Sequence, residues 1–170
     1  MSVGDSMAVG LALAACVFDL RSRRIPNGLT FGAAAAGLAY AAATGGWPAA
    51  GAGLAGCGLV LALWLPLYAL GGMGAGDVKL MAAIGMWVGP LTALHAVLYA
   101  SIAGAVIAVS LVLARGIVRQ TYHNLHLLIL HWQVAGFSPH AQLTLATATS
   151  PRLAYAVPVL IGTVVATWLR

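Results

Sequence analysis

Long apolar runs recur along this 170-residue chain with almost no charge inside them, and that limits what it can fold into. They cover residues 3–18, 28–43, 49–70, 80–88, 91–114 and 153–169. A hydrocarbon core about 30 Å thick asks for about 20 apolar residues per helical crossing, and most of these runs come close. In lipid the backbone must satisfy its own hydrogen bonds, so a spanning chain is helical or a closed barrel. Continuous apolar runs, rather than alternating ones, argue against barrel strands. Only 6% of residues are charged and 62% are hydrophobic, whereas a soluble domain is about 25% charged. The expected fold is therefore all-α and polytopic. It forms a single domain over residues 1–170, with no linker to divide it.

The cations set the expected topology. Arg21, Arg23 and Arg24 follow the first run, and clusters of this kind mark a cytoplasmic helix end. Ile25-Pro26-Asn27 makes the turn, and Pro suits the first turn of the next helix. Thr44 to Pro48 reads as a short uncharged loop, with Trp47 at interfacial depth. Residues 80–88 cover only about 14 Å as a helix. Gly89-Pro90 then breaks the run, so a short or half-crossing helix buried at its far end is expected. Six segments with the N-terminus outside place Arg21, Arg23, Arg24, Lys79, Arg115, Arg119 and Arg152 inside and Arg170 outside. Treating 80–88 and 91–114 as one crossing would move Arg115 and Arg119 outside. The net charge of +5 is thus explained by membrane topology rather than by a nucleic-acid partner. No basic stretch precedes the first run, so a cleaved signal peptide is not expected. Cys16 and Cys57 stand alone in apolar runs and read as buried, inert thiols.

Residues 115–152 are less apolar and are expected to be cytoplasmic or interfacial. Val118, Tyr122, Leu125, Ile129 and Trp132 recur at helical spacing, with His123, Asn124 and His131 off that stripe. This is the pattern of an amphipathic helix lying on a membrane. Residues 138–150, rich in Thr, Ala and Ser, read as a loop.

The chain has three acidic residues, Asp5, Asp19 and Asp77. Asp5 or Ser6 is an ordinary cap for the first helix. Asp19 and Asp77 end and begin apolar runs on the same expected face, where ionisable groups are candidates for function. Two carboxylates a few ångströms apart share a proton, so one serves as base and the other as acid. A water held between them can be deprotonated by one while the other hydrogen-bonds a scissile carbonyl, without a metal. Asp77 follows Gly71-Gly72-Met73-Gly74-Ala75-Gly76. Without Cβ atoms, Gly72, Gly74 and Gly76 allow close substrate approach and positive φ. A simpler reading makes Asp77 a helix cap and Asp19 a surface ion pair beside its arginines. The loop lacks the Gly-Lys-Ser/Thr of a P-loop and follows no strand, so it is not a nucleotide-binding fingerprint.

Gly74-Ala75-Gly76-Asp77 matches the GxGD signature of intramembrane-type aspartyl proteases. The longer pattern through Lys79 and Leu80, with Gly85 and Gly89, resembles the type IV prepilin peptidase family. So does Asp19-x-x-x-Arg23-x-Ile25-Pro26-Asn27, which is similar to that family's first catalytic motif. The resemblance implies an aspartic endopeptidase of the cytoplasmic (inner) membrane with Asp19 and Asp77 as its catalytic pair. Its substrates would be prepilin or pseudopilin precursors, from which it removes a basic leader at the cytoplasmic face. No cofactor and no metal are expected. The chain looks most like the short peptidases of tight-adherence (Flp-type) pilus systems. Larger members carry cysteine pairs in an N-terminal region and also methylate; none precede Asp19, so methyltransferase activity is not expected.

Lys79 and Arg23 are candidates to stabilise the ionised acid or orient substrate, and Asn27 to fix the turn carrying Asp19. His123, His126 and His131 lack acidic or cysteine partners and read as an interfacial polar face, while His95 reads as a hydrogen-bonded core residue. Two rivals remain. One is a GxGD protease with other substrates, such as preflagellins. The other is an ion-coupled transporter using the two acids, which broken helices also suit; no inverted repeat supports it. Oligomeric state is not legible.

Overall fold

The computed structural model describes residues 1–138 and 154–169. These form five helices: α1 (Val3–Ser22), α2 (Asn27–Ala69), α3 (Ala75–Ala114), α4 (Val118–Ala135) and α5 (Ala156–Trp168). No strand occurs among the described residues. Arg152, Leu153, Arg170 and the Ser/Thr-rich segment after Ser138 lie outside them.

Three helices, α1, α2 and α3, are long and apolar enough to cross a membrane. The expected six separate crossings are not what the described residues show. Helical structure runs on through the loop expected at Thr44–Pro48 and through Gly89-Pro90, so two pairs of expected segments merge. At 13 residues, α5 is about 20 Å long, short of the hydrocarbon thickness.

The merged helices are not straight. In α2 only Gly46 leaves helical geometry (φ 64°, ψ −160°), and in α3 only Gly89 (φ 74°, ψ 177°). Glycine alone reaches such angles cheaply, and Pro48 and Pro90 follow closely to interrupt the hydrogen-bond ladder. A Cβ added at either Gly37 or Gly53 would press on Met86, although a straight helix would hold these glycines about 24 Å apart. The helix α2 therefore folds back at Gly46, and its two arms flank the front of α3.

That front half of α3 is the centre of the bundle. Leu80, Met81, Ala83 and Ile84 are almost fully buried, and Met86 and Val88 are buried too, as expected for a short helix enclosed at its far end. Close approach is set by missing side chains. A Cβ on Gly85 would stand 2.6 Å from the Gly56 carbonyl oxygen, and one on Gly162 2.6 Å from that of Ala96. Trp87 Nε1 donates to the Ala33 carbonyl at 2.9 Å and its ring packs on Tyr40. Outside, Leu13, Phe31, Leu54, Leu98 and Trp47 are exposed, the inside-out pattern of a lipid-facing surface.

Ser2, rather than Asp5 or Ser6, caps α1. Its side chain accepts from the Asp5 N–H, and Asp5 Oδ2 accepts from the Ser2 N–H, a reciprocal capping box. The helix α4 forms where an amphipathic helix is expected, with Val118, Tyr122, Leu125 and Ile129 exposed rather than packed on the bundle. His131 bonds Ser138 Oγ at 3.0 Å. His95 is exposed and stacks on Tyr99, not in the core, because the residues facing inward here are Ala93, Ala96 and Val97. Cys16 is buried and Cys57 half-buried, both as free thiols.

Candidate active site

Asp19 sits in the last turn of α1, and its backbone carbonyl accepts from the Arg23 N–H at 2.9 Å. Arg23 adopts φ 53° as the left-handed cap that stops α1. Pro26, with φ −62° and ψ 135°, then starts α2 and occupies the cap position just before its first turn. Arg23 and Pro26 thus turn the chain within a few residues and keep Asn27 on the same cavity wall as Asp19.

Asp77 reaches the same place from the far side of the sequence. Gly71 (φ 76°) ends the approach from α2, and Gly74 is the N-cap of α3. Asp77 lies three residues past Gly74, so it is not the cap itself. Its carboxylate folds back onto the Gly74 backbone, and a Cβ on Gly74 would lie 2.9 Å from Asp77 Oδ2. Gly76 packs against Ile25, where a Cβ would already be in contact at 3.4 Å. That contact joins the turn after α1 to the first turn of α3.

One open cavity of about 440 Å³ is lined by both Asp19 and Asp77. Arg23, Pro26, Asn27, Gly74, Gly76 and Lys79 share its wall, together with Arg24 and Ile25. Eight of the nine residues singled out from the sequence therefore converge, from α1, α2 and α3. Gly72 does not line it; a Cβ there would meet only the Leu67 carbonyl. None of Gly72, Gly74 and Gly76 uses positive φ; Gly71 does instead. The value of Gly74 and Gly76 is room for Asp77 and Ile25, not unusual backbone.

Asp19 is only 9% exposed, which does not fit a solvated surface ion pair. Its Oδ2 accepts a long hydrogen bond, 3.4 Å, from the Ala156 N–H at the start of α5. A backbone donor on an alanine leaves no mark in a sequence, so this partner was not legible. Lys79 Nζ donates to Asn27 Oδ1 at 3.2 Å and stands 5.3 Å from the Phe31 ring centre. Asn27 thus ties α2 to α3 as well as following the turn. Phe31 was missed, although its spacing from Asn27 puts both on one helix face. An exposed hydrogen bond of this kind is worth about 1 kcal/mol. Asn27→Ala should accordingly slow any reaction needing a fixed Lys79 about fivefold, read as the initial rate of substrate processing, while Asn27→Gln retains more.

Such a bundle defines a helical membrane protein with two acids in a basic-edged cavity at one end. A family profile described as the type IV leader peptidase family matches residues 6–109. The match covers more than half of the chain, and the chain belongs to that family: it is a peptidase. No curated protein and no solved structure matches it.

Proposed function

We propose that the protein is a prepilin leader peptidase, an aspartic endopeptidase in which Asp19 and Asp77 act together. The observation that carries this reading is their convergence: two of three acids in the chain, far apart in sequence, line one cavity. The carboxyls share one proton. The ionised one takes a proton from water as the water oxygen attacks the scissile carbonyl carbon. The protonated one bonds the carbonyl oxygen and then supplies the proton that leaves with the amine as the C–N bond breaks. The products are a leader carboxylate and a new N-terminal amine, and this chemistry calls for no metal. Lys79, tied to Asn27, is suited to orient the substrate backbone, and Gly74 and Gly76 keep the wall low enough for it to approach.

The cavity belongs at the cytoplasmic face of the inner membrane. Arg21, Arg23, Arg24 and Lys79 gather at this end of the bundle, and Arg115 caps α3. In this reading α1, α2 and α3 span the membrane. The N-terminus is then outside, and α4 lies on the cytoplasmic headgroups as part of one peptidase domain. Substrates are pilin-like precursors with a basic leader before an apolar helix.

Purified protein in liposomes, given a pilin-type precursor, is expected to release the leader by one cut at its junction with the apolar helix. Mass spectrometry of the new N-terminus reads this. Intact precursor across several pilin-type substrates, with folded protein present, would refute the proposal.

A further inference from the structure

We propose that the start of α5, Tyr155–Ala156, is a positioning element of the reaction that holds Asp19 through a backbone N–H; this rests on the peptidase reading above. The first N–H groups of a helix have no partner within it. Here the Ala156 N–H finds one in Asp19 Oδ2, on a carboxylate only 9% exposed. The bond holds Oδ2 of a carboxylate that also lines the cavity. Asp19 lies on α1, and α1 packs more on α3 and α5 than on α2, so α5 is the element placed to set its orientation.

The N–H is itself aimed by its neighbour. Tyr155 packs edge-to-face on Trp64 of α2, with ring centres 5.7 Å apart. Its hydroxyl bonds the Ser101 side chain, and Ser101 Oγ donates in turn to the Val97 carbonyl at 2.8 Å. Gly104 supplies the seat, since a Cβ there would lie 3.0–3.2 Å from the Tyr155 ring and hydroxyl. One residue further, Ala156 is fully buried, and Gly162 locks α5 onto the backbone of Ala96 and Ala100. The ring of Tyr155 thus wedges between α2 and α3 and fixes the position from which Ala156 meets α1. Four helices are referred to one carboxylate.

A residue that orients a reacting group should change turnover more than substrate affinity. Full-length protein in liposomes, with one pilin-type precursor, gives kcat and KM for wild type, Asp19→Asn, Ala156→Pro, Tyr155→Phe and Tyr155→Leu. Ala156→Pro removes the N–H at the first position of a helix, where proline is tolerated. It is expected to lower kcat at least about tenfold with KM within about twofold. Proline also crowds the preceding Tyr155, so the tyrosine variants form a second arm that decides the matter if Ala156→Pro does not accumulate. Tyr155→Leu, which loses the flat wedge, is expected to show the same loss in kcat. Tyr155→Phe, which keeps the ring, should restore most of it. A wild-type kcat in Ala156→Pro, or in Tyr155→Leu, overturns the proposal, as does a loss carried wholly by KM. If Asp19→Asn is inactive and these variants are normal, only the positioning role fails. If Asp19→Asn cuts normally, the peptidase pair fails instead.

Discussion

Asp19→Asn and Asp77→Asn are each expected to lower precursor cleavage by about 10³-fold or more while leaving the protein folded and abundant. General acid or base catalysis by one positioned group contributes about 10² to 10⁴-fold, and each acid has a separate task in the shared-proton scheme. Asparagine keeps the shape and one acceptor oxygen. The Ala156 N–H can still bond residue 19, and residue 77 can still fold back on Gly74. What is lost is the ability to carry and exchange a proton. Stability should change little, which separates this expectation from the simpler reading of the two residues as a cap and an ion pair. Under that reading the variants would shift unfolding and leave the cut unaffected.

The largest structural effect is expected from Gly85→Leu. A Cβ at Gly85 would stand 2.6 Å from the Gly56 oxygen, 2.8 Å from its carbonyl carbon and 3.1 Å from the Cys57 nitrogen. Those are backbone atoms of α2 and cannot swing aside as a side chain would. Helices in lipid associate through close packing and small residues rather than through a hydrophobic driving force, so forcing α2 from α3 removes the contact itself. Overpacking of this kind costs about 1–3 kcal/mol, and a backbone clash belongs at the upper end. The front of α3 also carries Asp77 in its first turn, so the displacement reaches the site. Thermal unfolding in detergent should show a marked fall, with activity lost alongside it. Gly10 is the control, because a Cβ there meets nothing within 4 Å; Gly10→Ala should be neutral or stabilising by about 1 kcal/mol. A Gly85→Leu protein as stable as wild type would mean that α2 and α3 do not cross at these glycines.

The two motifs and their meeting were legible because each is local. Arg23 stops one helix and Pro26 starts the next, and Gly74 opens another three residues before Asp77. Charge placement alone brought both acids to one end. The break at Gly89-Pro90 was equally legible, since a glycine followed by proline forces it. The turn at Gly46 was expected as a loop over Thr44–Pro48, yet a single left-handed glycine suffices and helical structure resumes at once. That is why separate segments appear as folded-back helices. The His95 expectation failed because an apolar run carries no inward stripe when both lipid and core are apolar. Most opaque were the contacts between backbones: Gly56 on Gly85, Gly162 on Ala96, and the Ala156 N–H on Asp19 involve no distinctive side chain. They arise only once the helices are side by side.

The central claim, that Asp19 and Asp77 work as one unit, is tested most directly by cleavage rates of wild type, Asp19→Asn, Asp77→Asn and the double variant in liposomes. Residues that act as a unit are strongly non-additive. Each single variant is expected to fall to the same floor as the double, with all four proteins folded. Losses that multiply in the double variant, or a wild-type rate in either single one, would contradict a shared-proton pair.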